Sequence, residues 1–273
     1  YLGTMVYFSW SPFLAAICFI SSNICRVIAL IYHIHRNHYD EEKQQNLDLE
    51  FIKMEWEYRY RLNPLHSMAN ILNIFAWTTF SIPVLQVAWL LSHGGVRKVG
   101  MHAAIAGFTI AAVVSEVLAQ LMLFGARGSG IYLYSNFDFG GWLPGYVYSG
   151  ESGVGWRDLE IVYLVINGIT TYVDSFEWLC LAVVLSLIMH SLQTMNVRIF
   201  NIWWARFGLL VAFLAVFDFI SSVLIRLDEH LFAELAIAVS VMNSIIFLPT
   251  WLFMLSYGLA KCTNSYAFMA TSG

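Results

Sequence analysis

Six stretches of this chain, at approximately 5–33, 67–92, 100–125, 159–191, 203–226 and 231–260, stay apolar for longer than the roughly 20 residues a helix needs to cross about 30 Å of hydrocarbon. A backbone in such a layer has no water to bond and must satisfy its own N–H and C=O groups, as a helix does. The expected fold is therefore all-α: a polytopic integral membrane helix bundle of about six transmembrane helices, built as a single transmembrane domain over 1–273. Composition agrees, because 59% of the residues are hydrophobic, only 12% are charged and the mean hydropathy is +0.66. The first stretch has no basic region before it and is too long for a signal-peptide core, so it counts as a span. Pro83 and Pro249 fall inside the second and sixth spans and are expected to kink them.

Six crossings return the chain to its starting side. The connections at 93–99, 192–206 and 261–273 carry Arg97, Lys98, Arg198, Arg206 and Lys261 without an acidic residue. Short, purely basic loops favour the cytoplasm, so both ends are expected there. The lipid bilayer is the first partner, and a homo-oligomer is compatible with this plan. Nucleic acid is excluded as a partner, because the net charge is −4 and no concentrated basic surface is present. Neither a cofactor nor a particular host membrane is named by the sequence. Cys18, Cys25, Cys180 and Cys262 lie in or beside apolar segments, where a disulfide framework has no use; Cys262, beside Lys261, is a weak candidate for acylation.

Two long connections stand out. In 36–66, Asp40 can cap a helix that begins with Glu41 and Glu42, while Arg59 and Arg61 suit its last turn before Asn63 and Pro64. Leu47, Phe51, Met54, Tyr58 and Leu62 would form its apolar face, so an amphipathic interfacial helix is expected over about 41–62, lying on the exoplasmic membrane surface or against the connection that follows the third span. The connection at 126–158 alternates glycine with aromatics, among them Tyr132, Tyr134, Trp142 and Trp156, and is expected to pack as a cap over the helix ends on the exoplasmic side. Both segments are candidate docking surfaces for protein partners.

Five acids, Glu116, Asp174, Glu177, Asp218 and Glu234, sit inside the spans, with Arg26 the candidate counter-charge. A carboxylate at the centre of a bilayer costs roughly 2.5 to 3.5 kcal/mol on insertion scales, so its presence points to function. Asn167, Thr170, Thr171, Asp174 and Glu177 recur at helical spacing and form one polar stripe on the fourth span. Asp174 and Glu177 are neighbours on it near mid-membrane, where two carboxylates should not both ionise unless a cation lies between them. Glu116, with Ser115 beside it and Gln120 one turn on, and Asp218, followed by Ser221 and Ser222, lie about 12 to 14 Å deep by residue count. Glu234 is shallower and fits a vestibule.

Chemistry of other kinds finds little support. No helix carries deep paired histidines for haem, and HExxH, Glu-x-x-His, Walker, GxSxG and dinucleotide motifs are absent. The histidines fit interfacial positions, and His35 and His38 with Asp40 make only an unspecific metal pattern. The expected function is a channel or transporter with a cation or proton site formed by Asp174, Glu177, Glu116 and Asp218. The alternative is a non-catalytic subunit or scaffold of a larger membrane assembly.

Overall fold

A computed structural model describes residues 10–36, 49–92, 99–136, 154–193, 200–225 and 238–271, and the regular structure among them is helical throughout. In chain order the helices are α1 (Trp10–Arg36), α2 (Leu49–Ser92), α3 (Val99–Asn136), α4 (Val154–Gln193), α5 (Ile202–Ile225) and α6 (Leu248–Thr271). A helical stretch from residue 238 enters α6 through a π-turn over Asn243–Phe247. Six spans among these are long and apolar enough to cross a membrane, the last being Ala238–Lys261.

The helices form a closed circuit. Each packs against its neighbours in sequence, α6 returns to α1, and α2 also touches α4 across the interior. Large aromatics fill the middle: Trp77 meets Phe19 edge-on at 5.4 Å and Trp178 at 5.9 Å between ring centroids. On the α5–α6 side, Trp204 stacks on Trp251 at 4.9 Å and donates its indole N–H to the Trp251 carbonyl. Outward faces are apolar as well, with Leu118, Val165 and Phe213 exposed. That combination suits a bundle surrounded by lipid.

The separate helix expected at 41–62, stopped by Asn63 and Pro64, does not form as such. Its described part, from residue 49, is the first portion of α2, which runs 44 residues straight through Pro64; residues 37–48 lie outside the described residues. Burial explains the difference. Ile52 and Trp56 pack with Ile131 of α3 and Trp156 and Tyr163 of α4 in a second apolar core, so this portion lies against the chain that follows the third span, one of the two placements expected. A mid-helix proline costs about 3 kcal/mol, comparable with the gain from fully burying one or two large apolar side chains. Arg59 is clamped in the same region by Glu160 through two hydrogen bonds, of 2.5 and 2.8 Å, while its guanidinium lies 4.1 Å from the Tyr163 ring centroid and 4.7 Å from that of Trp56.

Helix also replaces loop at both ends of the expected cap. Residues 126–136 extend α3 and 154–158 begin α4, so Tyr132, Tyr134 and Trp156 are helical, and residues 137–153 lie outside the described residues. Gly130 serves packing here: a Cβ at this position would stand 2.1 Å from Cη2 of Trp56. Pro83 is buried inside an unbroken α2. Pro249 follows the π-turn, in which the Leu248 N–H donates to the Asn243 carbonyl, the wider winding that relieves a proline's clash with the preceding turn. Cys18, Cys25 and Cys180 are free thiols.

Candidate functional site

Helical spacing assembles a cluster of acids between α3 and α4. Glu116 and Gln120 stand one turn apart on α3, Asp174 and Glu177 three residues apart on α4, and the two helices pack along each other. One ligand oxygen each from Glu116, Asp174 and Glu177 lies within 4.8 Å of the others. Glu116 and Glu177 are 0% and 1% exposed and Asp174 is half-buried, so water screens this group poorly. Two ionised carboxylates at that separation repel by about 3 to 4 kcal/mol at an effective dielectric near 20. The cluster therefore demands protons, a bound cation, or both.

Hydrogen bonds hold part of the cluster and leave part of it open. Asn73 of α2 donates its amide Nδ2 to Oε1 of Glu116, and Gln120 donates Nε2 to Oδ1 of Asp174 at 3.4 Å. Oε2 of Glu116, Oε2 of Glu177 and Oε1 of Gln120 are buried and accept no hydrogen bond. Arg26 of α1 makes no direct ion pair among the described residues, yet it is the cation whose field reaches both Glu116 and Glu177.

The remaining sequence candidates separate from this group. Asp218 of α5 is buried, its Oδ2 has no hydrogen-bond partner, and it does not belong to the group of clustered carboxyls. Its sequence neighbour Ser221 donates to the Phe217 carbonyl of its own helix at 2.7 Å. Glu234 lies outside the described residues. On the polar stripe of α4, the Thr170 and Thr171 hydroxyls donate back to the Asn167 carbonyl at 3.0 and 2.7 Å. His102 is buried with Nε2 at 3.3 Å from Oγ of Ser191, and no described histidine joins the cluster.

Asn73 was not singled out by the sequence reading. Its signal was present: Asn70 and Asn73 are three residues apart in an apolar span, and both are buried. The criterion that marked α4 applies equally to α2. Asn243 was missed too; it opens the π-turn, is fully buried, and neither its Nδ2 nor its Oδ1 has a hydrogen-bond partner. Comparison with protein families, curated proteins and solved structures finds no match to this chain.

Proposed function

We propose that the protein is a multi-pass membrane channel or transporter whose central acids bind or relay a cation or proton. The observation that carries this reading is the convergence of the Glu116, Asp174 and Glu177 carboxyls within 4.8 Å inside a bundle of six membrane-length helices. Burial of like charges is costly, and a bundle that needed only stability would be served as well by apolar side chains of similar volume. Excess negative charge selects cations over anions. Asp218, electrostatically linked to Asp174 from the next helix, supplies a second station in this scheme. The purely basic connections put both ends in the cytoplasm, so the Arg59–Glu160 clasp belongs to the opposite face.

Reconstitution into liposomes tests the proposal. Flux of H⁺, Na⁺, K⁺ or Ca²⁺ down an imposed gradient is expected from the native chain and should fall at least tenfold when Asp174→Asn is combined with Glu177→Gln. Flux that persists undiminished in the double variant sinks this mechanism.

A further inference from the structure

The open oxygens of the acid cluster, not its mere acidity, identify a ligand. Asn73 and Gln120 each tie down one oxygen of a clustered carboxyl, at Glu116 and Asp174. What they leave, Oε2 of Glu116 and Oε2 of Glu177 together with Oε1 of Gln120, is acceptor-only and without a partner, on side chains exposed by 1% or less. We infer that Glu116, Asp174 and Glu177, positioned by Asn73 and Gln120, form a binding site for one divalent cation of calcium size. This inference deepens the cation reading above and rests on it only for the claim that the ion crosses the membrane.

Donor type, size and charge agree on that ion. All the donors are oxygens, the set that hard cations take, and among the described residues no cysteine or histidine joins the cluster to favour zinc or copper. Oxygens on opposite sides of a calcium ion, bonded at 2.3 to 2.6 Å, are about 4.6 to 5.2 Å apart, and one oxygen from each of the three carboxyls fits within that diameter. Charge supports the valence. Two carboxyls of the three, once ionised around a bound ion, are neutralised by one divalent cation, whereas one monovalent cation leaves a negative charge unpaired in a buried site.

Tryptophan provides a built-in reporter. Trp178 adjoins Glu177 in sequence and packs at 5.9 Å on Trp77, which is one helical turn from Asn73. Purified full-length protein in detergent is titrated near neutral pH with CaCl₂, MnCl₂ and MgCl₂, following tryptophan emission, thermal unfolding and equilibrium binding of radioactive calcium. One calcium per chain is expected, with a rise in unfolding temperature. Glu116→Gln and Glu177→Gln should each weaken binding at least tenfold, and Asn73→Ala by about tenfold, the usual effect of losing a partner that orients a ligand. The exposed Asp158→Asn should bind as the native chain does. Glu177→Asp, which keeps the charge, guards against misfolding and should retain saturable binding at reduced affinity. Absence of saturable divalent binding to the native chain, or undiminished binding in Glu116→Gln and Glu177→Gln, overturns the site. Proton flux without divalent binding would defeat this inference and spare the transport reading; divalent binding without any flux would do the reverse.

Discussion

Among the described residues, the buried carboxyls of Glu160 and of the Glu116–Glu177 cluster meet different surroundings. Glu160 faces a full partner: the Arg59 fork bonds both of its oxygens, with Tyr163 and Trp56 against the guanidinium, and the two side chains are only 7% and 12% exposed. Such a pair gains little net stability from its charges, yet removing one partner strands the other. Arg59→Met and Glu160→Leu are therefore each expected to destabilise the protein by about 3 kcal/mol, the loss for breaking a buried pair, while the two together should recover most of it. Chemical unfolding of the two single variants and the double variant measures this; an additive double variant would mean that the pair is not coupled. Glu116 and Glu177 have no such direct cation, which is why they carry the functional argument and Glu160 does not.

At the scale of elements, α2 departs furthest from the sequence expectation, because the signals that should have ended it are overruled by packing. The apolar spans were legible since a long hydrophobic window depends on few context effects. The extensions of α2, α3 and α4 beyond those windows were not, because they bury only one face and carry Pro64, Gly128 and Gly130, residues that read as breaks in isolation. The same division holds at the site. Asp174 and Glu177 could be paired from their spacing on one helix, whereas Asn73 reaches Glu116 only once the rotations of α2 and α3 are known. Continuity through Pro64 has a measurable consequence: Pro64→Ala restores a backbone donor inside a helix and should stabilise the protein by about 1 kcal/mol or more, part of the helix-interior cost of proline. If Pro64 instead ended a separate helix, the change would destabilise it. Gly130→Ala has the opposite sign, since its methyl would collide with the Trp56 ring; a loss of about 1 to 3 kcal/mol is expected from overpacking, with Trp56→Phe relieving part of it. Thermal unfolding in one detergent ranks all three variants, and a neutral Gly130→Ala would refute the close crossing.

The whole molecule places its acid cluster midway between two different ends. Along α3, Glu116 is 14 residues from His102, which meets Ser191, and 15 from Ile131 in the Trp56 core, or about 21 to 22 Å in each direction at 1.5 Å per residue. Along α4, Asp174 is likewise 14 residues, about 21 Å, from Glu160. With the cluster at the centre of a hydrocarbon layer about 30 Å thick, both the Arg59–Glu160 clasp and the His102–Ser191 pair would fall outside it. A single crossing, α3, separates 93–98 from 137–153, so these segments must open to opposite compartments if α3 spans the bilayer. In a Cys262→Ser background, Ser152→Cys should react with an impermeant maleimide in intact cells, and Lys98→Cys only after permeabilisation. The reversed pattern would keep the bundle but invert its orientation, overturning the cytoplasmic placement of the basic connections. Labelling of both from outside would refute the crossing by α3 and, with it, the mid-membrane position of Glu116.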